Sequence, residues 1–291
     1  MKRIRKKYNR TLLKLLWKVN PVKATKYFYK ISLKKELDLK NPRDLNEKIM
    51  WLKHHTYWNS KLIATCADKY EVRNYVKECG HESILNKLYG VYDSIDQINW
   101  EILPDQFVIK TTNASRTNIV CTDKKQLERE NIEKTLEKSL KTIFGKTTAE
   151  FQYALMKPRV IIEKYLGKEN GELPMDYKIW CFHGIPKYVI IHSGREKGIH
   201  SVRMFDMNFQ EVYFLKNSDN SIKQLRPDNF EKMIEVARDL SQAFPFVRVD
   251  LYDVNNQIIF GELTFTPGSG VIPFFKDEAL LEMGKHLKLE V

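Results

Sequence analysis

Apolar residues recur at two different spacings along the chain, and the spacing changes near its middle. In residues 4–19 they return every three or four positions, which predicts a helix that ends at Asn20-Pro21. The same spacing predicts further helices over 42–53, starting at Asn41-Pro42, and over 68–79, 126–144 and 229–242. Most of these helices fall in the first half of the chain.

Short apolar runs and strict alternation dominate elsewhere. They predict strands over 107–110, 119–121, 159–165, 176–182, 186–192, 201–205 and 211–214, and a last hairpin formed by 246–254 and 258–265. Early helices followed by a mostly antiparallel sheet are typical of an α+β fold, here with two lobes.

The last hairpin carries polar side chains within apolar strands. Alternation places Arg248 and Asp250 on one face of the first strand, and Glu262 and Thr264 on one face of the second. All four share a face if Asp250 lies opposite Glu262, which requires an odd-numbered loop such as 255–257. A two-residue turn would move Glu262 to the other face, so we predict the odd loop, with a bulge.

These four side chains are suited to a metal and a phosphate. Two carboxylates on adjacent strands fit Mg²⁺, which commonly binds one or two carboxylates, phosphate oxygens and water. Arg248 beside them can bind a phosphate group. The alternative, a polar face in solvent, is disfavoured by the apolar flanking residues. The loop Thr266–Gly270 follows directly, and its two glycines allow backbone N–H groups to approach a ligand.

Two other segments fit a nucleotide, although each alone is more typical of ordinary structure. Lys110 ends a strand that runs into a polar turn, where a lysine can reach a phosphate or simply point into solvent. The apolar strand Val160–Leu166 ends in polar residues, which suits a flat adenine ring as well as a plain core strand.

Charge is unevenly distributed along the chain. Residues 1–35 contain 13 Lys and Arg and no Asp or Glu, whereas the remainder is almost neutral. The first helix is therefore basic and amphipathic. It can dock on the protein body, lie on an anionic membrane, or bind an acidic polymer such as nucleic acid. The neutral body and the lack of a recognition motif argue against nucleic acid.

Several other classes of protein fit poorly. No segment reaches the ~20 apolar residues of a membrane span and no signal-peptide pattern is present, so we expect a cytoplasmic protein. The four cysteines form no CxxC pair and no zinc-like spacing, and we expect them to be small buried side chains. They are Cys66, Cys79, Cys121 and Cys181.

Taken in this order, the segments resemble the ATP-grasp superfamily and, more narrowly, its TupA-like branch, named for teichuronopeptide biosynthesis. The resemblance covers roughly residues 40–285, so the basic arm, residues 1–35, lies outside it. The segments that carry it are Leu45–Lys48, Asp68–Tyr70 with Arg73, Leu103–Lys110, Val160–Leu166, Asp176–Lys178, Phe182–Gly184, Arg248–Tyr252 and, most specifically, Gly261–Gly270.

The resemblance implies that ATP and Mg²⁺ are held between two lobes. It assigns phosphate contact to Lys69 and Lys110, the adenine hinge to Glu163, Lys164, Tyr165 and Leu166, and Mg²⁺ binding to Asp250, Glu262 and Thr264. Lys178 is expected to face the nucleotide, and Arg248, with Lys110, to stabilise the transferring phosphate. The corresponding segments are the arm 1–35, a helical region 36–105, a small lobe 106–166 and a core lobe 167–291.

The activity implied is amide formation, in which ATP phosphorylates a carboxylate and an amine attacks the acyl phosphate. In this branch an amino acid would be joined to a uronic-acid carboxylate of a capsular or cell-wall polysaccharide, or of its lipid-linked precursor. A membrane-attached acceptor would explain the basic arm. The alternatives are a glycosyltransferase of the same pathway and a non-catalytic ATP-grasp-like binding protein. The latter is supported only by the lid, residues 113–117, which lacks the glycines usual in the family.

Overall fold

Eight helices and nine strands make up the described part of the protein. The computed structural model describes residues 2–113, 118–142, 144–168, 172–193, 201–217 and 223–290, with the backbone alone for 2–10. The helices are α1 (Lys2–Val19), α2 (Pro21–Leu33), α3 (Leu45–His54), α4 (Lys61–Ala67), α5 (Val72–Glu78), α6 (Arg129–Leu140), α7 (Phe230–Ser241) and α8 (Asp277–His286).

The strands form two antiparallel sheets. They are β1 (Leu88–Tyr92), β2 (Phe107–Thr111), β3 (Ile119–Cys121), β4 (Val160–Lys164), β5 (Met175–Phe182), β6 (Ile185–Ser193), β7 (Ser201–Asp206), β8 (Phe246–Val254) and β9 (Gln257–Thr264). The small sheet has the order β1-β4-β2-β3, and the large sheet has the order β7-β6-β5-β8-β9. The predicted α+β fold is confirmed.

Each sheet has its own apolar core, which is why the chain forms two lobes. In the small sheet, Phe107, Ile109 and Ile162 are fully buried and pack with Leu136 of α6. The large sheet forms a larger buried cluster, which includes Trp180 and apolar residues of α3, α7 and α8. The small sheet takes β1 from the region 36–105, so that region contributes a strand as well as helices.

Two helix starts differ from the predictions, and hydrogen bonds from side chains to the backbone explain both. The helix predicted from residue 42 begins at Leu45, because Asp44 and Glu47 form a reciprocal capping box there. The helix predicted from residue 68 begins at Val72. The Asp68 carboxylate accepts hydrogen bonds from the two N–H groups at Tyr70 and Glu71, which holds the chain in a turn.

Other predicted elements are shorter or absent, and some elements were not predicted. The helix predicted over 126–144 spans only Arg129–Leu140, and the strand predicted over 211–214 is a single bridge between Phe205 and Glu211. The prediction did not include α2, α4, β1 and α8. Cys66, Cys121 and Cys181 are buried as expected, and Cys79 is half-buried.

The part of the basic arm whose side chains are described, residues 11–35, packs on the protein body. Trp17 stacks on Phe151 with ring centroids 5.8 Å apart, and Leu13 is buried. Leu15 and Val19, in contrast, remain 59% and 84% exposed. Docking therefore uses one face of α1 and leaves an apolar strip on another. No helix in the described residues is long and apolar enough to cross a membrane.

Candidate active site

The β8–β9 hairpin has the predicted register at the site but not the predicted loop. Asp250 lies opposite Glu262 and Arg248 lies opposite Thr264. The loop prediction was wrong: Val254 pairs with Gln257, which leaves a two-residue turn with positive φ angles of 52° and 61°. The register changes by one residue between Asp250 and Leu251, so the extra residue lies in the strand itself.

That extra residue is Gly261, and the hairpin has no room for a side chain there. A Cβ atom at this position would lie 2.9 Å from the backbone oxygen of Asp250 and 3.0 Å from Cε2 of Tyr252. The bulge turns Glu262 onto the face that carries Asp250, in spite of the even-numbered turn. The glycine is therefore needed to bring the two carboxylates together.

A row of charged side chains crosses three neighbouring strands of the large sheet. Lys178 on β5 lies opposite Asp250 on β8, which in turn lies opposite Glu262 on β9. Lys178 Nζ donates to Asp250 Oδ2 at 2.6 Å and to Asp176 Oδ1 at 3.0 Å. Arg248 donates from Nε and Nη2 to the two oxygens of Asp250, both at 2.6 Å.

The outer end of this row is more open. Glu262 keeps 45% of its side chain exposed, whereas Asp250 keeps 2%. The Thr264 hydroxyl donates to Glu262 Oε1 at 2.9 Å and accepts from Arg248 Nη2 at 3.0 Å. Glu262 and Thr264 therefore face the solvent side of the cluster, while Asp250 forms its buried centre.

Burial and charge act in opposite directions on the central pair. Burial alone would raise the pKa of Asp250, but Arg248 and Lys178 hold that pKa below its usual value. Burial would likewise lower the pKa of Arg248, yet contact with Asp250 raises it. Both groups are therefore charged at neutral pH.

The donor set fits a magnesium ion that also binds phosphate. Within the described residues, no group of three or more His, Cys, Asp or Glu side chains could hold a metal ion by itself. Asp250 and Glu262 supply two carboxylates and Thr264 a hydroxyl, which matches the one or two protein carboxylates that Mg²⁺ takes when it shares phosphate oxygens. Of the two carboxylates, the exposed Glu262 is the more accessible to an incoming ion.

The small sheet presents a second cluster. Lys110 Nζ donates to Glu163 Oε2 at 2.7 Å, and Arg73 Nη1 lies 3.5 Å from Glu163 Oε1. Lys69 is partly buried between the clusters. Burial lowers the pKa of Lys69, while the charge of Glu262 opposes the shift and that of Lys110 adds to it. Lys69 thus lies near charged groups of both sheets.

A cavity of about 300 Å³ lies between the two sheets. Its walls include Lys110 and the predicted hinge residues Lys164, Tyr165 and Leu166, and on the large-sheet side Asp176 and Tyr252. Glu163 does not line the cavity, because its carboxylate is turned to Lys110 and Arg73. Asp176 joins the cavity to the charged row, since it also contacts Lys178.

The glycine loop that follows β9 is held by buried polar groups that the sequence analysis missed. Three consecutive residues, Gly268, Ser269 and Gly270, have φ of 57°, 61° and 78°. Lys53 is 1% exposed and donates to the backbone oxygens of Ser269 and Thr148 at 2.5 and 2.7 Å. These bonds tie the loop to α3 and to the segment before β4.

Glu150 is the second missed group. It is buried and accepts from the hydroxyls of Thr266 and Thr148, both at 2.6 Å. Burial, followed by the charges of Glu150 and Glu262, raises the pKa of Tyr153, so this tyrosine also lies near the cluster. No local sequence pattern marks Lys53 and Glu150 as site residues. Lys53 and Thr148, like Glu150 and Thr266, are more than 90 positions apart in the chain. Of the predicted lid, residues 114–117 lie outside the described residues.

A match to a protein-family model agrees with this geometry. The model is described as TupA-like ATPgrasp, and it matches residues 47–288. The chain belongs to the TupA-like ATP-grasp family. The protein is thus an ATP-grasp ligase.

Other comparisons of this ATP-grasp ligase are weaker. D-alanine–D-alanine ligase from Helicobacter pylori is 18% identical, with 85% of this chain and 70% of that one covered and a TM-score of 0.48. The D-alanine–D-alanine ligase from Bacillus anthracis is 16% identical, with 77% of this chain and 67% of that one covered and a TM-score of 0.47. D-cycloserine synthetase DcsG is 14% identical, with 78% of this chain and 70% of that one covered and a TM-score of 0.40. No curated protein matches the chain. These similarities carry no argument about substrate.

Proposed function

We propose that this ATP-grasp ligase joins an amino acid to a uronic-acid carboxylate during assembly of a capsular or cell-wall polysaccharide. The observation that supports its nucleotide part is that Asp176 both lines the cavity and contacts Lys178 of the charged row. The acceptor class is what the resemblance to the family implies. An apolar cavity suits a nucleobase, and cations at its end suit phosphates.

In this proposal, cations from both lobes bind the phosphate chain. Lys69 and Lys110 approach it from the small-sheet side, and Lys178 and Arg248 from the large sheet. Lys164, Tyr165 and Leu166 line the base, while Glu163 orients Lys110 through its 2.7 Å bond. Asp250, Glu262 and Thr264 would hold Mg²⁺, which when bound offsets the negative charge of the phosphates.

Arg248 is the residue that we assign to the transferring phosphoryl group. It is already held by Asp250, Glu262 and Thr264, so its guanidinium is oriented before substrates bind. The acceptor carboxylate oxygen attacks the γ-phosphorus and ADP leaves. The amine then attacks the acyl carbon and releases phosphate, which forms the amide without a covalent enzyme intermediate.

The basic arm would bring the enzyme to an anionic membrane carrying a lipid-linked acceptor. The arm contains 13 basic residues and no acidic one, and Leu15 and Val19 expose apolar surface on α1. We place the enzyme in the cytoplasm, at the inner face of the membrane, with no nucleic acid as partner. Deleting residues 1–19 should abolish co-sedimentation with anionic vesicles, and unchanged sedimentation would contradict membrane binding.

Calorimetry of ATP binding, with and without Mg²⁺, tests the metal and nucleotide assignments. We expect tight binding only with Mg²⁺, and its loss in Glu262→Ala. Glu235→Ala, an exposed residue of α7, is the matched control and should bind as the wild type does. Binding of a UDP-sugar instead of ATP would favour a glycosyltransferase, and binding of neither would favour a non-catalytic protein.

Trapping of the activated carboxylate tests the reaction. With ATP, Mg²⁺, a uronic acid and hydroxylamine, the enzyme should form a hydroxamate together with ADP. Arg248→Met should lose hydroxamate formation. ADP release without hydroxamate, for every uronic acid tried, would exclude this acceptor class while leaving ATP binding intact.

A further inference from the structure

A groove with aromatic and basic residues lies apart from the cavity between the sheets and shares no lining residue with it. It has a volume of about 540 Å³ and lies between the start of α2 and the end of α3. Its lining consists of Pro21, Val22, Lys26, Leu39, Lys40, His54, His55 and Trp58. The catalytic assignments above use none of these residues.

The aromatic side of the groove is held rigidly. Trp58 meets the edge of Phe151 with ring centroids 4.0 Å apart, and it stacks on His54 at 6.2 Å. His54 Nε2 bonds to the Thr25 hydroxyl at 2.8 Å, and burial lowers the pKa of His54 to about 4. His54 is therefore neutral at pH 7. Trp58 nevertheless keeps 37% of its surface exposed, so it offers a fixed and accessible indole.

The basic side is formed by Lys26 and Lys40. Both are exposed, and among the described residues neither makes a salt bridge. Asp38 lies near both lysines. Its Oδ1 accepts from the backbone N–H groups of Lys40 and Asn41 at 2.8 and 3.0 Å, and these bonds, followed by the charges of Lys26 and Lys40, lower the pKa of Asp38. One carboxylate thus lies near two ammonium groups, so this side keeps a net positive charge that suits an anionic ligand.

Two contacts link the groove to the glycine loop. Phe151, which contacts Trp58, directly follows Glu150, whose carboxylate accepts from Thr266 in the glycine loop. One short segment thus supports both a wall of the groove and the loop that follows β9.

We propose that this groove binds the saccharide acceptor, with Trp58 stacking on a sugar ring and Lys26 and Lys40 pairing with sugar carboxylates. The inference rests on the proposed function. The apolar C–H face of a sugar packs well on a flat indole, and its carboxylate matches an ammonium group. A bilayer is a poorer occupant, because a flat surface would bridge over a concave groove rather than fill it.

Binding of trigalacturonate to the full-length enzyme tests the proposal, with maltotriose as the uncharged probe. Both titrations are followed by calorimetry in the presence of Mg²⁺ and a non-hydrolysable ATP analogue. We expect trigalacturonate to bind about tenfold more tightly than maltotriose, and Trp58→Ala to weaken it about tenfold, as one lost aromatic contact predicts. The double variant Lys26→Gln/Lys40→Gln should remove the preference for the charged probe.

The variants also separate this inference from the proposed function. Both should keep Mg²⁺-dependent ATP binding, because neither alters the cavity or the charged row. Wild-type affinity for trigalacturonate in Trp58→Ala and in the lysine double variant would overturn the groove assignment. So would an enzyme that binds the ATP analogue but neither saccharide. Trp58-dependent binding to anionic vesicles, without saccharide binding, would assign the groove to the membrane instead.

Discussion

Each sheet holds one carboxylate between two cations, but the two differ in burial. On the large sheet, Asp250 lies between Arg248 and Lys178, and its side chain is 2% exposed. On the small sheet, Glu163 lies between Lys110 and Arg73, and its side chain is 10% exposed. All members of the first cluster come from three adjacent strands. The second draws Arg73 from α5, outside the sheet. Strand register thus determines the first cluster, while the second also depends on how α5 packs beside the small sheet.

This difference suggests separate tasks for the two clusters. The Arg248–Asp250 pair of the large sheet is buried and joined by two hydrogen bonds, so both side chains are oriented before any substrate binds. Lys110 and Arg73 retain 21% and 16% exposure, and Lys110 has a single carboxylate partner among the described residues. A phosphate can therefore recruit Lys110 at lower cost than it can separate Arg248 from Asp250.

The largest effect is expected for Asp250→Asn. The change removes the carboxylate that Arg248 and Lys178 share and leaves them only the longer contacts with Glu262 and Asp176. It should lower the free energy of unfolding by ~3–5 kcal/mol. Urea denaturation at pH 7 measures this. Asp253→Asn, on the same strand, should stay within ~1 kcal/mol of wild type. Equal losses in the two variants would show that the cluster is no more important than the rest of the strand.

The same variant has a defined pH dependence. Because the pKa of Asp250 is lowered in the folded protein, its contribution to stability is present above the unfolded-state value. The contribution disappears as the pH falls through the folded-state pKa. The difference between wild type and Asp250→Asn should therefore be constant near neutral pH and shrink only in acid.

Gly261→Ala tests whether the bulge builds the large-sheet cluster. A methyl group 2.9 Å from the Asp250 backbone oxygen must displace a strand, with an expected loss of ~1–3 kcal/mol in the free energy of unfolding. Mg²⁺-dependent ATP binding should weaken with it, because Glu262 is re-aimed. Asn256→Gly, in the turn at φ 61°, should leave both quantities unchanged. Normal ATP binding in Gly261→Ala would separate the bulge from the site.

A smaller effect is expected for Glu163→Gln on the small sheet. Its partners are partly exposed, so we expect a loss of only ~1–2 kcal/mol in the free energy of unfolding. The KM for ATP should rise about tenfold, since Lys110 loses the group that orients it. Steady-state kinetics with and without this change provide the test. A stability loss as large as that of Asp250→Asn would remove the contrast between the sheets.

The smallest effect concerns Lys53, which lies outside both clusters. Burial lowers the pKa of Lys53 to about 8, so between about pH 8 and 10 the unfolded chain binds more protons than the folded one. In this range, the free energy of unfolding of the wild type should therefore rise by roughly 1 kcal/mol per pH unit relative to that of Lys53→Met. Lys61→Met, on the exposed start of α4, should show no such gain. The same pH dependence of the free energy of unfolding in wild type, Lys53→Met and Lys61→Met would contradict the lowered pKa of Lys53.

Side-chain alternation was enough to place Arg248 with Asp250 on one face and Glu262 with Thr264 on one face, and the metal-site hypothesis then required all four on the same side of the hairpin. It could not locate the extra residue, because a loop and a bulge change the register by the same amount. The turn is Asn255-Asn256 and the bulge is Gly261. The choice between them depends on close contact with the neighbouring strand, which no local pattern records.

The sequence by itself determined the two-lobe α+β character, the basic arm and the polar face of the last hairpin, because these follow from periodicity and composition within one segment. Only the tertiary structure decided that Lys178 lies opposite Asp250, that Glu163 faces Lys110 and Arg73, and that Lys53 and Glu150 hold the glycine loop. Each of these contacts joins segments far apart in the chain. Strand order and packing of the whole core bring them together, and neither is encoded in any single stretch of residues.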